Sequence, residues 1–378
     1  MRTGWMLIVA LLALAGCGGG NGTGREDAAA ADSAMTVSHA KGFSVEYLPG
    51  YKRVTVYSPW EEGKRLAVYY LVKSVDTETP EGGAKIVTPL KTLAVTSCTH
   101  FEFLDMLGEL ETVKGLCTPE LAYNEKVTGR YNAKEIMNIG DAYNINIESL
   151  LMLSPDGVML TSYSQQDENV IRISNAGTTP LFNNEWTENT PLARAEWIKF
   201  VSAFYDKEQT ADSLFAEMER SYGEAVRLVT GADDVERPTV LAGGNYKGTW
   251  YMPGGKSYMC RLFEDAGCSY FYSGDETTTS IPLNFESVLY NFADADIWLN
   301  APTATMDGLL KMDERHGLFK AAKEGNVYGF YGRTNEKGAN DFWESAVAHP
   351  DIVLKDVIWA VHPELMGGYE PTYIIKLK

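Results

Sequence analysis

The sequence is poor in the two residue types that most often bind metals in proteins. Its 378 residues include only five cysteines and five histidines. No cysteines stand in a Cys-x-x-Cys pattern, and there is no His-x-His or His-Glu-x-x-His spacing. We therefore expect no metal site built from protein ligands alone. The scattered histidines are His39, His100, His316, His349 and His362.

Signatures of enzymes are also missing. There is no Gly-x-Ser-x-Gly motif, so the nucleophile turn of many hydrolases is excluded. Residues 254–257, Gly-Gly-Lys-Ser, resemble the end of a phosphate-binding loop, but Trp250 stands where that motif requires glycine. The many carboxylates form no pair that we can assign to acid–base chemistry. We expect no enzyme, and keep an exported enzyme as an alternative from another class.

Positive charge and long apolar runs are scarce. The formal net charge is -18, which disfavours nucleic acid and anionic membrane surfaces as partners. The apolar run from Trp5 to Ala15 is shorter than the roughly 20 residues that span a bilayer. It follows Arg2 and is typical of the core of a signal peptide. We therefore expect an exported protein.

The apolar run ends in Leu-Ala-Gly-Cys at residues 14–17, which resembles a bacterial lipobox. Residues 1–17 are then a lipoprotein signal peptide, and Cys17 becomes the lipid-bearing first residue. The Gly- and Ala-rich stretch that follows predicts a flexible tether over residues 18–35. We expect a lipid-anchored protein on the periplasmic face of the cell envelope. The alternative is an ordinary signal peptide with a chance cysteine.

Four cysteines remain for the exported chain. In an oxidising compartment they allow three pairings. Proximity in sequence favours Cys98 with Cys117 and Cys260 with Cys268, which places one disulfide in each half of the chain. The other pairings, and four free thiols, stay open.

The pattern of apolar residues predicts an α/β protein with two similar halves. Residues 42–72 alternate apolar and polar side chains around Pro49 and Gly50, which is typical of a β-hairpin. From Leu93 short apolar strands alternate with helices, as in parallel βαβ units. Residues from Pro191 to Val229 have helical periodicity with a break near Asp206. The alternation of strands and helices then restarts.

We therefore predict two Rossmann-like lobes joined by a long helical spine, with an extra N-terminal β-hairpin region. A repeated motif supports the two-lobe prediction: "NIESLLMLSPDGVML" at residues 146–160 returns as "NFESVLYNFADADIWL" at residues 284–299. A ligand is expected in the cleft between such lobes. The predicted boundaries are residues 36–190 for the first lobe, 191–230 for the helical linker and 231–378 for the second lobe.

From about residue 90 to the C-terminus, the order of elements resembles the class III solute-binding proteins of ABC importers. The stretches that carry this resemblance are "LKTLAVTSCTHFEFLDMLGE", the two repeated segments, "TWYMPGGKSYMCRLFEDAG", "KEGNVYGF" and "DIVLKDVIWAVHPEL". The resemblance implies a protein that captures an iron chelate, a ferric siderophore or haem, and delivers it to a permease dimer with a cytoplasmic ATPase. Cobalamin is the alternative ligand. A surface adhesion or scaffold lipoprotein is a further alternative. We expect a monomer without a cofactor of its own.

In this family an acidic residue on each lobe docks into a basic pocket of the permease. By motif these residues are Glu148 and Glu286, in the first turn of helices that Asn146 and Asn284 are suited to cap. The alternative is that the two carboxylates only stabilise their own helix ends.

Ligand contacts are expected on loops that follow the strands and face the cleft. Aromatic and basic side chains there suit a large flat or anionic chelate. Ordinary core packing is the alternative for each aromatic residue, a solvated loop charge is the alternative for Arg333, and a helix cap or packing at a helix start is the alternative for His100. The candidates are Thr96, Ser97, Thr99, His100, Tyr163, Trp186, Asn245, Tyr246, Lys247, Trp250, Tyr251, Arg333 and Trp343.

Overall fold

The computed structural model describes residues 33–162, 164–232 and 236–378. The predicted signal peptide, the lipidation site Cys17, residues 18–32 of the predicted tether and the candidate Tyr163 lie outside the described residues. Among the described residues, no helix has both the length and the apolar character needed to cross a bilayer.

The N-terminal region is a five-stranded sheet, larger than the predicted hairpin. Its strands pair in chain order, antiparallel except for the last pair, which is parallel. Gly50 takes a φ of 86° in the turn between the second and third strands. Phe43 packs on Trp197 and Phe200 of a later helix, so this sheet shares the core of the first lobe. The strands are β1 (Ser33–Ala34), β2 (Phe43–Leu48), β3 (Tyr51–Tyr57), β4 (Arg65–Val72) and β5 (Ala84–Val87).

The first lobe is built on a parallel sheet with the strand order β12-β11-β6-β7-β8. Its central strands are fully buried, as expected for a sheet covered on both faces. The elements are β6 (Leu93–Val95), α1 (Phe101–Met106), β7 (Val113–Leu116), α2 (Glu125–Asn132), β8 (Met137–Asn138), β9 (Gly140–Asp141), β10 (Asn144–Ile145), α3 (Ile147–Leu153), β11 (Gly157–Leu160), α4 (Glu168–Asn175) and β12 (Pro180–Phe182).

Three helices lead from the first lobe to the second: α5 (Pro191–Ala195), α6 (Trp197–Ala203) and α7 (Glu208–Thr230). The predicted break lies at Asp206, whose φ of 56° ends the helical path before α7. The long helix α7 contributes to two separate hydrophobic cores. Its residues up to Met218 pack in the core of the first lobe, and its residues from Tyr222 onward pack in that of the second. A single rigid element thus supports both lobes.

The second lobe repeats the pattern of the first around the parallel pair β13 and β17. Isolated parallel bridges at Ser269 and Val327 extend this sheet on both sides. The elements are β13 (Val240–Ala242), β14 (Asn245–Tyr246), β15 (Thr249–Pro253), α8 (Tyr258–Asp265), β16 (Ser280–Leu283), α9 (Phe285–Phe292), β17 (Ile297–Leu299), α10 (Met306–Met312), α11 (Lys320–Glu324), β18 (Tyr328–Gly329), α12 (Pro350–Val361) and β19 (Ile375–Lys376).

The two repeated segments form equivalent helix–strand units, α3 with β11 and α9 with β17. The side chain of Asn146 accepts a hydrogen bond from the backbone N–H of Ser149 at 3.1 Å, and Asn284 accepts one from Ser287 at 2.8 Å. The two predicted N-caps are therefore confirmed. The fold is the predicted pair of α/β lobes on a helical spine.

The predicted disulfides are not formed in this structure. Cys98, Cys117, Cys260 and Cys268 are all free thiols. The Cys98 thiol instead donates to the carbonyl of Trp343 at 3.4 Å. Cys260 and Cys268 are buried in the core of the second lobe, one inside α8 and one after it. The pairing was predicted from proximity in sequence alone, and neither predicted pair is bonded.

Candidate functional site

A cavity of about 430 Å³ lies between the two lobes, and we call it the interlobe cleft. The first lobe and the spine supply one wall, and loops and helices of the second lobe supply the other. Its lining residues are Trp60, Thr99, Glu185, Trp186, Thr187, Asn189, Arg194, Pro253, Ser257, Tyr258, Met259, Thr278, Thr279, Ser280, Asn300, Phe342, Trp343, Ala346 and Val347.

A second cavity, of about 570 Å³, adjoins the cleft on the first lobe and shares Thr99, Glu185 and Trp186 with it. We call it the lobe-one cavity. Its lining residues are Thr96, Ser97, Thr99, Ala142, Tyr143, Ile145, Leu160, Thr161, Ser162, Asp167, Glu168, Asn169, Glu185 and Trp186.

The carboxyl ends of parallel strands place the first-lobe residues at the cleft. Thr99 lies in a short helical turn directly after β6, and Trp186 lies in a similar turn after β12. The Ser97 hydroxyl accepts a hydrogen bond from the Thr99 backbone and lies 2.9 Å from the Thr99 hydroxyl. These residues meet because parallel strands of one sheet end at the same edge.

Three exposed tryptophans surround the cleft. Trp60, Trp186 and Trp343 are 53%, 39% and 60% exposed, although indole rings are normally largely buried. Trp60 and Trp186 face each other edge to face, with ring centroids 6.5 Å apart. Trp343 belongs to the second lobe and packs against Phe342, which in turn stacks on Phe330. Large rings left accessible around a cavity are suited to contact a bulky ligand.

One half-buried arginine lies in the wall of the cleft. Arg194 of α5 donates to the carbonyl oxygens of Glu188 and Trp186, at 3.1 and 2.7 Å. Its guanidinium carbon lies 4.0 Å from the centre of the Tyr258 ring, which belongs to α8 of the second lobe. This stacking holds the two lobes together beside the cleft. Burial raises the pKa of the Tyr258 hydroxyl, which therefore stays neutral.

A buried carboxylate lies where the two cavities join. Glu185 is 1% exposed, and its Oε2 atom lies 3.7 Å from Nε2 of His100, which is fully buried. Burial alone raises the pKa of Glu185, but the neighbouring His100 brings it below its ordinary value. His100 and Glu185 thus form a close pair of buried polar side chains at the junction of the two cavities.

The structure brings part of the predicted set together. Thr99, Trp186 and Trp343 line the interlobe cleft, and Thr96 and Ser97 line the lobe-one cavity. These residues come from loops that follow strands in the first lobe and from a loop in the second. Their roles in binding remain predictions, whereas their placement at a shared cavity is observed.

Two predicted ligand residues, His100 and Trp250, are buried and line neither cavity. His100 is fully buried, and its Nε2 atom lies 3.7 Å from Oε2 of Glu185. Trp250 is fully buried, donates from its indole nitrogen to the carbonyl of Ala242 at 2.8 Å, and packs on Trp298. In β15 the side chain of Trp250 points inward, whereas that of Tyr251 points outward. The alternative of core packing therefore holds for Trp250.

The remaining candidates of the second lobe line neither cavity. Four of them lie on or next to the β14–β15 hairpin: Asn245, Tyr246, Lys247 and Tyr251. The Asn245 side chain stabilises that turn by accepting a hydrogen bond from the backbone of Gly248 at 2.8 Å. Arg333 forms an ion pair of 2.9 Å with Asp341 and lies near the Tyr123 ring. Its positive charge is therefore already paired within the protein.

Sequence reasoning missed several lining residues, chiefly Trp60, Arg194 and Tyr258. Trp60 belongs to the N-terminal sheet, and no local pattern connects it with loops more than a hundred residues away. Arg194 lies in α5 and Tyr258 begins α8, whereas the ligand contacts were expected on loops. The available signal is a tryptophan within a polar, turn-like Ser-Pro-Trp-Glu-Glu-Gly stretch.

No metal site was found in the part of the chain that the structure describes. No three His, Cys, Asp or Glu side chains among those residues are arranged to bind an ion.

Comparison with known proteins places this geometry in a family. The model of the periplasmic binding protein family matches residues 93–332. An uncharacterized lipoprotein of Methanocaldococcus jannaschii is 24% identical over 324 residues, which cover 81% of this chain and 75% of the relative.

Solved structures share the fold at low sequence identity. A possible iron-binding (periplasmic solute-binding) protein of Staphylococcus epidermidis has a TM-score of 0.57 at 16% identity, covering 73% of this chain and 100% of that one. A periplasmic heme binding protein of Pseudomonas aeruginosa has a TM-score of 0.55 at 15% identity, covering 75% and 95%. Because the family match covers more than half of the sequence, the chain belongs to the periplasmic binding protein family.

Proposed function

We propose that this protein is a class III solute-binding protein that captures a metal chelate in the interlobe cleft and delivers it to an ABC permease. The observation that carries the proposal is that three exposed tryptophans line a cavity between two lobes of the periplasmic binding protein fold. Indole rings give a large contact area at a small cost in side-chain entropy. An iron chelate, a ferric siderophore or haem, is the first candidate, and cobalamin is the second.

The geometry agrees with a chelate rather than a bare ion. The described residues include no cluster of metal ligands, and the cleft wall consists mainly of rings, hydroxyl groups and aliphatic side chains. The spine helix α7 packs in the cores of both lobes, which favours small closing motions over wide hinge opening. A cleft of this kind suits a bulky, preformed cargo.

Delivery is proposed to use Glu148 and Glu286. Each is exposed in the first turn of its helix. Four positions further, Met152 and Tyr290 are 72% and 90% exposed, so each carboxylate has a large apolar neighbour on its helix. Accessible apolar side chains beside a charge are typical of a protein contact surface. The Cys17 lipid anchor proposed above would hold the protein close to the permease.

Titration with chelates tests the binding proposal. We expect tight one-to-one binding of at least one probe among a ferric trihydroxamate, haemin, cyanocobalamin and a ferric tris-catecholate, followed by quenching of tryptophan fluorescence and by calorimetry. Trp186→Ala should weaken that binding about tenfold, because it removes a ring from the cleft wall. Tyr290→Ala is the matched control, since it removes an exposed ring that lines neither cavity. Absence of binding for every probe would contradict the proposal.

A further inference from the structure

The N-terminal sheet contributes directly to the cleft, although it lies outside the residues that match the family. Trp60 is in the turn between β3 and β4, and the family match begins at residue 93. This ring nevertheless lines the interlobe cleft and lies 6.5 Å from the ring of Trp186. Contacts between the sheet and the rest of the first lobe fix this placement.

Two buried carboxylates join the segment before β2 to the start of the spine: Glu188 precedes α5, and Glu196 lies between α5 and α6. Glu196 is fully buried and accepts hydrogen bonds from the backbone N–H groups of residues 38–40, at 2.7 to 2.8 Å. Glu188 accepts two more, from the backbones of Lys41 and Gly42, at 2.9 and 2.8 Å. The backbone N–H groups help to hold the pKa of Glu196 below its ordinary value, and hydrogen bonds to a charged acceptor are among the stronger ones in proteins. The sheet is therefore an integral part of the first lobe.

Hydrogen bonds from β4, in the middle of the sheet, fix the sheet against β12 and residue Gln165. The Tyr69 hydroxyl donates to the carbonyl of Pro180 at 3.0 Å and accepts from the backbone of Phe182 at 2.9 Å, both in β12. Gln165 donates from its side chain to the carbonyl of Leu66 at 2.8 Å. Since Trp186 follows β12 directly, these bonds set the spacing between the sheet and Trp186. The turn that carries Trp60 is thus held against the cleft.

The cleft offers little positive charge to a ligand. Among the described residues that line the two cavities, Arg194 is the single lysine or arginine. Its guanidinium already donates to two carbonyl groups and stacks on Tyr258. The same walls carry the carboxylates of Glu185, Asp167 and Glu168. A multiply anionic cargo would find few partners here and several like charges.

We infer that the N-terminal sheet is a ligand-recognition element, in which Trp60 acts with Trp186 and Trp343 on a chelate that carries no net negative charge. Indole faces bind flat or apolar surfaces and attract cations, so neutral and cationic chelates fit this wall. The inference rests on the proposed function. It narrows the proposed ligand to one charge class, and it assigns a binding role to a part of the chain outside the family match.

Substitution of Trp60 tests the role of the sheet. In titrations of the whole protein with the four probes, Trp60→Ala should weaken binding of the preferred probe about tenfold, and Trp60→Phe should restore most of it. Val75→Ala is the control, because Val75 is 68% exposed in the connection between β4 and β5 of the same sheet and lines neither cavity. Thermal unfolding of each variant verifies that the fold is retained.

The choice of probe tests the charge class. The neutral trihydroxamate or cyanocobalamin should bind more tightly than the tris-catecholate, which carries three negative charges, and more tightly than haemin with its propionates. Preference for either anionic probe, or unchanged affinity in Trp60→Ala, would overturn the inference while the proposed function stands. Failure of all four probes to bind the unsubstituted protein would contradict the proposed function itself.

Discussion

At the scale of single residues, the pair of Glu185 and His100 is the most constrained feature of the site. Both side chains are buried, and a charged carboxylate in such surroundings needs a partner. His100 supplies that partner and holds the pKa of Glu185 below its ordinary value against the opposing effect of burial. His100 therefore supports the wall of the cleft through Glu185, which lines both cavities.

Removal of His100 should cost stability. His100→Ala removes the neighbour that most favours the charged form of the buried Glu185 carboxylate, so we expect the free energy of unfolding to fall by about 3 kcal/mol at neutral pH. Urea unfolding measures this change. His39→Ala is the control: His39 pairs with Glu219 at 2.7 Å on the protein surface, and its loss should cost about 1 kcal/mol or less. Equal losses in the two variants would contradict the structural role of His100.

The residue scale is also where sequence reasoning was weakest. It found Thr99, Trp186 and Trp343, because loops after parallel strands meet at one edge of a sheet. It misplaced Trp250, because the alternation within β15 that points this ring inward is set by packing on Trp298. It missed Trp60 because contacts between distant parts of a chain leave no local pattern.

At the scale of elements, a buried carboxylate joins the two lobes beside the cleft. Glu344 follows the helical turn Asp341–Trp343 of the second lobe. It accepts hydrogen bonds from the backbone N–H groups of Tyr123 and Asn124 in the first lobe, both at 2.8 Å. Burial raises the pKa of Glu344 from 4.5 to about 7. The contact between the lobes should therefore depend on pH.

The sign of this dependence follows from proton binding. Between pH 4.5 and about 7 the folded protein keeps a proton on Glu344 that the unfolded chain has lost. Its contribution to stability is thus fully present below pH 4.5 and is lost as the pH rises through about 7. Glu344→Gln stays neutral, so its melting temperature relative to the unsubstituted protein should rise between about pH 5 and about pH 8. A difference that stays constant over this range would contradict the account.

The helices and strands could be predicted from the sequence more reliably than the contacts between them. The two capped helices and the break at Asp206 follow from local patterns, namely an asparagine before an apolar helix and an interruption of helical periodicity. The N-terminal sheet was predicted only in part, since the parallel pairing of β5 with β4 requires a crossover that no hairpin pattern encodes. The predicted disulfides are absent for a similar reason, because two cysteines that are close in sequence need not be close in space.

At the scale of the whole molecule, the proposed docking to a permease depends on one carboxylate on each lobe. Glu286 has an arginine, Arg315, at 3.3 Å on the same surface, yet it remains exposed. Two such carboxylates on related lobes match the two-fold symmetry of a permease dimer. The lobes would thus act together in delivery as well as in binding.

Charge reversal tests delivery separately from binding. The double variant Glu148→Arg with Glu286→Arg should retain chelate affinity within about twofold and lose uptake by cells, because steering and register at the permease depend on charge. Glu125→Arg is the matched control: Glu125 is an exposed first-turn residue of α2, which also has an asparagine N-cap, but it lies outside the repeated helices. Unchanged uptake in the double variant would limit these carboxylates to a structural role at their helix ends.

The most direct test of the account is the identity of the molecule that the protein carries in its own cells. The protein should be purified without added ligand, and its absorbance spectrum and the mass of any compound released on unfolding should be measured. We predict one metal chelate per chain, and a lower occupancy in Trp186→Ala prepared in the same way. A protein that is free of metal and of any bound chelate, and that takes up none of the four probes, would contradict the central claim.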